Sequence, residues 1–196
     1  ISDIFSFADE INGLTVNEDD VMVSYDVTSL FTNVPLQETI DILVDKAFTD
    51  DWLNTTHNLN ISKQDLEELL KVATMNQLFQ FNGELYQQTD GVAMGSPLGP
   101  LLANTFLCFV EDKLRHENLL PNMYRRYVDD TFVVMNNIPS AEAFLAKLNS
   151  CHPSLKFTMD LANGNEIPFI GLTIVKNERT LSTRVYVKPT NTGLFL

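Results

Sequence analysis

The sequence has few of the residues that would indicate a disulfide-stabilised, zinc-binding or membrane protein. Its 196 residues include two cysteines, Cys108 and Cys151. Two are too few for a disulfide framework or a structural zinc site. No run approaches the ~18 apolar residues of a membrane span, and the start lacks the basic and apolar regions of a signal peptide. These features favour an intracellular protein, in the nucleus or the cytoplasm.

Basic residues are also scarce. Thirteen Lys and Arg stand against 26 Asp and Glu, a formal net charge of −13. A protein that grips a nucleic acid usually has a basic face, so charge alone argues against nucleic-acid binding. Hydrophobic residues make up 44% of the chain, enough for the core of an ordinary globular domain. Because the first residue is Ile1, the sequence is expected to be part of a longer chain.

Two adjacent carboxylates stand in the sequence Tyr127-Val128-Asp129-Asp130. The flanking residues, 124–126 and 131–135, are rich in β-branched and aromatic side chains, which predicts a hairpin with a charged tip. Hairpin turns favour Asn-Gly or Asp-Gly, and two like charges side by side repel each other. A divalent cation would remove that repulsion, although an isolated acidic pair is more typical of a solvated turn.

A third carboxylate, Asp26, ends the apolar run 21–25. Its alternating pattern predicts a strand that carries Asp26 out of a sheet just before a helix. Mg²⁺ prefers oxygen ligands. Two such ions about 3.5–4 Å apart can hold the attacking and leaving oxygens of a phosphoryl transfer. Asp26 and Asp129 are therefore the predicted bridging pair.

A turn and a glycine-containing loop are predicted between these acidic segments. Asn82-Gly83, flanked by alternating residues, predicts a hairpin. The following stretch, 91–97, contains two glycines that would let the backbone approach a ligand closely. Its Ser96 and Pro97 are predicted to be the cap and first residue of a long helix. On its own, this pattern is equally typical of a well-capped structural helix.

The remaining patterns predict structural elements. Helices are predicted from Pro35 to about Phe48, from Ser62 to Ala73, and from Ser140 to about Asn149. Residues 49–60 are polar and predict a loop, on which His57 is a surface side chain and not a metal ligand. The last third predicts a β-meander with strands at 155–161, 168–174 and 183–187.

Three segments resemble, in order, the palm motifs of the reverse transcriptases: Ser24–Pro35, Gly91–Pro97 and Tyr127–Asp130. The resemblance extends from about Val21 to the end of the chain. It departs from the family at Thr89-Asp90-Gly91, where many reverse transcriptases have Pro-Gln-Gly, so the role of that Gln does not transfer.

Within this family the chain is most similar to Penelope-like retroelements. Three segments support this assignment: the Leu-Phe-Thr-Asn-Val-Pro stretch at 30–35, the Met-Gly-Ser-Pro-Leu segment at 94–98, and Lys188-Pro189-Thr190-Asn191-Thr192.

The resemblance implies an α+β fold, a polymerase palm with a mainly antiparallel sheet, helices packed on one face, and carboxylates on the other side or edge. It implies one palm domain over residues 1–196, with 1–20 as a connector from absent fingers and 188–196 as the start of a thumb. Absent fingers and thumb would account for the scarcity of basic residues. Bound cations would also reverse the local charge at the acidic site.

The function implied is that of an RNA-directed DNA polymerase of a retroelement. Its partners would be an RNA template, a DNA primer and deoxynucleoside triphosphates, and its cofactors two Mg²⁺ ions, for which Mn²⁺ could substitute. Asp26 and Asp129 would bind both ions, with Asp130 as an auxiliary ligand and the Val27 carbonyl as a further ligand.

Other residues take roles only through the resemblance. Phe31 would lie under the sugar and exclude a 2′-hydroxyl. Gly95, Ser96 and Pro97 would lie against the nucleotide and templating base. Lys156 is a candidate to protonate departing pyrophosphate, although a solvent-facing lysine is at least as typical there. The candidate primer grip consists of Phe169, Gly171 and Leu172, where Phe169 alone is more typical of a core residue.

Two other functions remain open. An RNA-directed RNA polymerase shares the palm fold but usually has Gly before the paired Asp and a polar residue in place of Phe31, so Val128 and Phe31 count against it. A catalytically silent palm that acts as a binding or scaffold module is favoured by the charge of −13 and disfavoured by the three carboxylates. Titration with Mg²⁺ or Mn²⁺ separates a scaffold from an enzyme.

Overall fold

The computed structural model describes residues 1 and 3–187. The segment Lys188–Thr192 and the predicted start of a thumb at 188–196 lie outside the described residues. The chain divides into two compact units. Unit 1 comprises Ile1–Thr28, Leu120–Ser150 and the residues from Lys156 onward, and unit 2 comprises Ser29–Leu119 and Cys151–Leu155.

The helices are α1 (Ile4–Ile11), α2 (Leu30–Asn33), α3 (Leu36–Ala47), α4 (Trp52–His57), α5 (Lys63–Thr74), α6 (Gly99–His116) and α7 (Ile138–Cys151). The strands are β1 (Val21–Val27), β2 (Leu78–Phe81), β3 (Glu84–Gln87), β4 (Tyr124–Tyr127), β5 (Asp130–Met135), β6 (Phe157–Leu161), β7 (Glu166–Phe169), β8 (Leu172–Asn177) and β9 (Thr180–Val185). Within this described part of the chain, none of the helices has the length and apolarity needed to cross a membrane.

A four-stranded antiparallel sheet in the order β4-β5-β1-β6 forms the centre of unit 1. Helix α7 covers one face of this sheet. Tyr25 of β1 is fully buried there, and its ring meets Phe144 of α7 edge to face, with the ring centroids 5.4 Å apart. The Tyr25 hydroxyl donates a hydrogen bond to the Ala141 carbonyl at 2.9 Å. Burial raises the pKa of Tyr25. The hydroxyl is nevertheless paired, because it donates this hydrogen bond.

The opposite face of this sheet is covered at one end by α1 and by a separate antiparallel sheet in the order β7-β8-β9. The rings of Phe7, Phe132 and Phe169 meet in this core, with Phe7 and Phe169 centroids 5.1 Å apart. Arg125 of β4 forms an ion pair with Glu10 of α1 that also joins the layers. At the far end of β1, Asp26 is exposed on this face.

Unit 2 is mainly helical. Helix α3 packs against α5 and α6, and buries Ile40 and Val44 together with Leu102 and Phe106 of α6. The hairpin β2-β3 is exposed along both strands. His152, which belongs to this unit, contacts the Glu38 carboxylate at 3.0 Å and meets the Phe106 ring edge to face.

The α+β palm expected from the sequence is confirmed, with α7 on one face of an antiparallel sheet. The two hairpins are also present where predicted, at residues 78–87 and 124–135. His57 is exposed, as predicted.

Three local predictions are wrong. The polar stretch 49–60 contains α4 because Asp51 and Asn58, which tolerate the left-handed region, flank a helix instead of forming a loop. Helix α7 begins at Ile138, and Asn137, not Ser140, provides the capping acceptor for the Ser140 amide at 2.9 Å. The predicted strand 168–174 is instead two strands, β7 and β8, joined by a turn at Ile170-Gly171.

Candidate active site

Asp26 lies near the end of β1, beyond the part of the sheet face that α1 and the β7-β8-β9 sheet cover. Its neighbours Tyr25 and Val27 are buried, whereas Asp26 is exposed, because alternate residues of a strand point to opposite faces. Its carboxylate accepts a hydrogen bond from the Val27 amide. The alternation of the sequence therefore placed this carboxylate correctly.

Asp129 and Asp130 lie at the tip of the β4-β5 hairpin. Tyr127 pairs with Asp130, so Val128 and Asp129 form the two-residue turn. Tyr25 pairs with Thr131, and the buried Thr131 hydroxyl donates a hydrogen bond to the Tyr25 carbonyl. The adjacent positions of these antiparallel strands are Asp26 and Asp130, so the hairpin brings both carboxylates to the same face.

The carboxylates interact electrostatically. Although Asp26 is exposed, the surrounding protein removes part of the water around its carboxylate, and this partial desolvation is the largest cause that raises its pKa. The negative charges of Asp129 and then Asp160 raise the pKa further, against the opposing hydrogen bond from Val27. Burial likewise raises the pKa of Asp130, followed by the charges of Asp129 and Asp26. Each carboxylate thus destabilises the ionised form of its neighbours.

Asp160 of β6 is an acidic neighbour that sequence reasoning missed. It pairs with Ser24, and Thr158 pairs with Asp26, so alternation places Asp160 on the same face as Asp26 and one diagonal step away. The only signal in the sequence was the predicted strand at 155–161. Its pairing with β1 joins segments that are far apart in the chain and could not be read from local pattern.

The donors at this site fit Mg²⁺. Mg²⁺ is usually held by one or two carboxylates together with substrate phosphates and water, and not by a complete cage of protein ligands. Among residues 1 and 3–187, no group of three or more His, Cys, Asp and Glu side chains that could hold an ion by itself occurs. Exposed, mutually repelling carboxylates offer oxygen ligands and gain stability when a cation neutralises them.

Phe31 is held in unit 2 by the loop that precedes α6. Its carbonyl accepts a hydrogen bond from the Val92 amide at 2.7 Å. Its ring lies 3.5 Å from where a side chain on Gly99 would begin, so Phe31 packs against the first residue of α6. The ring is half-buried. This packing fixes the backbone and the ring of Phe31 relative to the loop.

The loop residues Gly95, Ser96 and Pro97 do not start the helix as predicted. Helix α6 begins at Gly99, with Leu98 as its cap residue and Pro100 in its first turn. The Gly99 amide instead donates to the Ser96 carbonyl at 3.0 Å, which closes a turn over 96–99. Pro100 fits the first turn of a helix, where amides have no intrahelical partner, so the second proline decides the start.

Lys156 is exposed and lies just before β6, where its carbonyl accepts a hydrogen bond from the Thr28 amide at 2.8 Å. The candidate primer-grip residues surround the turn between β7 and β8. The side chains of Phe169 and Leu172 are buried in the core of unit 1, whereas Gly171 occupies the turn with φ +79°. A role for these residues in catalysis or primer binding stays a prediction.

The raised pKa of Asp26 predicts an effect on stability. Between its ordinary pKa and the raised pKa of the folded state, the native protein holds more protons than the unfolded chain, so stability falls as pH rises through this window. Above the window the destabilisation is complete. Without metal at pH 7, Asp26→Asn is therefore expected to raise the melting temperature, and at about pH 3 the difference from wild type should be small.

A thermal melt in EDTA at both pH values measures this effect. Asp19→Asn is the matched control because it removes the same charge from an exposed residue outside the carboxylate group. If both variants shift the melting temperature equally at pH 7, the repulsion at Asp26 has no specific effect on stability.

The chain is similar to proteins of known family and to proteins of known structure. Residues 4–162 match the family described as reverse transcriptase (RNA-dependent DNA polymerase). No curated protein matches the chain.

Solved structures with a similar fold include telomerases from two yeasts. Apo telomerase of Candida tropicalis, truncated from its C-terminal domain, has a TM-score of 0.64 and 18% identity over 95% of this chain and 40% of its own. The C. tropicalis telomerase in complex with the TWJ fragment of telomeric RNA has a TM-score of 0.65 and 17% identity, and the match covers 98% of this chain and 35% of the telomerase chain. The corresponding Candida albicans complex has a TM-score of 0.61 and 13% identity, and the match covers 86% of this chain and 32% of the telomerase chain.

The chain thus spans well under half the length of these telomerases, and at this identity they show a shared fold alone. The family match covers most of the chain and includes Asp26, Asp129 and Asp130. The chain therefore belongs to the reverse transcriptase (RNA-dependent DNA polymerase) family.

Proposed function

We propose that this chain is the catalytic palm of an RNA-directed DNA polymerase that adds deoxynucleotides to a primer 3′-hydroxyl on an RNA template. The observation that carries the proposal is the convergence of Asp26, Asp129 and Asp130, from two distant segments, at one end of an antiparallel sheet. Membership of the reverse transcriptase family supports it. A related fold in telomerases, two of whose structures are complexes with a fragment of telomeric RNA, is consistent with an RNA partner.

The site residues have distinct roles in this proposal. Asp26 and Asp129 hold two Mg²⁺ ions, or Mn²⁺ in their place, with Asp130 and the Val27 carbonyl as further ligands. When bound, the ions would lower the pKa of the primer hydroxyl and neutralise the triphosphate. Asp26 lies on β1 and Asp129 lies in the β4-β5 turn, so the pairing of β1 with β5 sets the relation of the two carboxylates that would orient both reacting groups.

The finer assignment is to a retroelement of the Penelope-like type. It rests on the resemblance of the segments around Phe31, Met94 and Lys188 to that group, and it places the protein inside the cell, in the nucleus or cytoplasm, with a DNA primer and deoxynucleoside triphosphates as partners. Gly95, Ser96 and Pro97 would contact the nucleotide, Lys156 would protonate pyrophosphate, and Phe169, Gly171 and Leu172 would form the primer grip.

Primer extension by the full-length protein tests the proposal. A labelled DNA primer on an RNA template is incubated with Mg²⁺ and either deoxynucleotides or ribonucleotides. Deoxynucleotide addition supports the proposal. A preference for ribonucleotides would assign the protein as an RNA polymerase, and no extension with either, combined with no Mn²⁺ binding, would favour the scaffold function.

Phe31→Val is expected to reduce discrimination against ribonucleotides. The proposed role of the ring is steric, and a smaller side chain would leave room for a 2′-hydroxyl. Removing one such apolar contact should change selectivity about 10–100-fold. The measurement is the ratio of kcat/KM for a deoxynucleotide to kcat/KM for the matching ribonucleotide.

Phe109→Val is the matched control because Phe109 is also a half-buried phenylalanine of unit 2, but its ring lies under the ammonium group of Lys113. This variant should leave the ratio near that of wild type. If Phe31→Val and Phe109→Val give the same ratio, Phe31 has no steric role in sugar selection.

A further inference from the structure

The turn that presents Asp129 has an unusual residue at its first position. Val128 has φ +56°, in the left-handed region. A β-branched residue rarely adopts this conformation, because its side chain crowds the backbone there. Val128 is exposed, so burial of its own side chain does not compensate for the strain. Something else must hold the backbone of this turn.

Arg126 provides that support. Its Nη1 donates a hydrogen bond to the Val128 carbonyl at 2.9 Å, across the turn. This carbonyl belongs to the peptide that links Val128 to Asp129, so the hydrogen bond fixes the orientation of the peptide plane that leads to the Asp129 carboxylate. The guanidinium donates to a neutral acceptor with charge assistance, which is stronger than a bond between two neutral groups.

Arg126 acts from the side of the sheet opposite to the carboxylates. It pairs with Thr131, which is buried on the α7 face together with Tyr25, whereas Asp26 and Asp130 project from the other face. The guanidinium is therefore placed to hold the turn from behind. The opposite face carries the carboxylates that are the proposed metal ligands.

We infer that Arg126 is a positioning residue, which holds the strained Val128 turn in the conformation that presents Asp129 to the metal ions. The inference rests on the proposed function, since it assigns Arg126 a role in the same polymerase site. Residues that orient metal ligands from outside the coordination sphere typically contribute about 10–100-fold to metal affinity or activity.

Arg126→Met tests this inference in the full-length protein, because it removes the donor and keeps the apolar stem. We expect kcat for primer extension to fall about 10–100-fold and the Kd for Mn²⁺, measured by electron paramagnetic resonance without nucleotide, to rise by a similar factor. The KM for the deoxynucleotide should stay within about 3-fold of wild type, since Arg126 lies on the face of the sheet opposite to the carboxylates. Arg126→Lys, which restores a donor, should recover part of the loss.

Arg125→Met is the matched control. Arg125 is the adjacent arginine of β4, but its guanidinium forms a double hydrogen bond with Glu10 and so joins β4 to α1. Its removal is expected to lower the melting temperature and to leave the Mn²⁺ Kd unchanged. A general loss of stability in β4 would affect both variants alike.

A second substitution tests the cause directly. Asn tolerates the left-handed region, so Val128→Asn should hold the turn with less help from Arg126. In the Val128→Asn background, Arg126→Met should reduce kcat less than about 3-fold, a non-additive result expected of residues that act on the same turn.

The results separate the two proposals. If the wild-type protein is active and Arg126→Met has the same kcat and the same Mn²⁺ Kd, the role of Arg126 is overturned and the polymerase assignment stays intact. The role of Arg126 is also overturned if Arg126→Met lowers kcat by the same factor in the wild-type protein and in the Val128→Asn variant. Inactive wild type that binds no Mn²⁺ would instead contradict the proposed function itself.

Discussion

Asp129→Asn is expected to abolish primer extension while leaving the fold intact. In the proposed reaction Asp129 is a ligand of both ions, and an amide is neutral and a poorer ligand for Mg²⁺ than a carboxylate. We expect kcat to fall on the order of 10³-fold or more, which corresponds to about 4 kcal/mol of lost transition-state stabilisation. The measurement is single-turnover extension of a DNA primer on an RNA template.

Stability should change in the opposite direction. The charge of Asp129 raises the pKa of both Asp26 and Asp130, so removing this charge relieves repulsion in the metal-free protein. The melting temperature of Asp129→Asn in EDTA at pH 7 should therefore be equal to or above that of wild type. Loss of activity without loss of stability distinguishes a ligand from a structural residue.

Asp19→Asn again serves as the control, because it makes the same change on an exposed residue outside the site. It should retain wild-type extension. Retention of extension by Asp129→Asn would remove the two-metal assignment and leave the scaffold function as the better account.

The parts of the site that could be predicted from sequence depend on local pattern. Asp26 follows an alternating run, so its exposure beside buried Tyr25 and Val27 was determined by the two-residue period of a strand. The hairpin around Asp129 was predictable from composition, since β4 has aromatic residues and β5 has aromatic and β-branched residues. What joined these two segments was their resemblance to family motifs, because no local pattern specifies which strands pair.

The pairing of distant strands explains most of what was not predicted. The sheet order β4-β5-β1-β6 places Asp160 beside Asp26, and no residue near Asp160 indicates that partner. The expected meander of the last third is instead shared between two sheets, with β6 in one and β7-β9 in the other. Strand pairing is determined by the tertiary core, and the sequence signal for each strand is identical in either sheet.

Unusual backbone conformations explain the rest. Ile170 has φ +41° in the turn between β7 and β8, where turn rules favour Gly, Asn or Asp. Its side chain packs partly buried against the core that contains Phe169, so tertiary packing outweighs the local preference. Val128 breaks the same rule without burial. A rule based on turn composition does not predict turns at such residues, and Val128 lies in the proposed active site.

Gly91→Ala is expected to destabilise unit 2 strongly. Gly91 has φ +74°, and a side-chain carbon there would lie 2.6 Å from the Thr32 carbonyl oxygen and 2.8 Å from the Thr32 carbonyl carbon and Cα. All three are backbone atoms, so no side-chain rotation relieves the clash. The left-handed conformation adds roughly 1–2 kcal/mol for a residue with a side chain. We expect a total loss of at least about 3 kcal/mol, in the range of severe core substitutions.

Gly83→Ala separates the clash from the conformational effect. Gly83 has a similar φ of +82° in the exposed hairpin turn, and no described atom lies within 4 Å of an added side-chain carbon. Gly83→Ala should lose only the part of the stability that comes from the left-handed backbone conformation. Melting can be followed by the fluorescence of Trp52, the one tryptophan of the chain and part of the same unit as both glycines.

The position of Gly91 gives this clash a functional consequence. The Val92 amide donates to the Phe31 carbonyl, so the clash at Thr32 must displace either the loop after Gly91 or the segment that carries Phe31. In both cases the backbone contact that supports the ring proposed to select the sugar is altered. In the fraction that folds at low temperature, Gly91→Ala should therefore raise the KM for deoxynucleotide and weaken discrimination against ribonucleotide, the effect also expected of Phe31→Val. Equal stability of Gly91→Ala and Gly83→Ala would contradict the close approach of these two backbone segments.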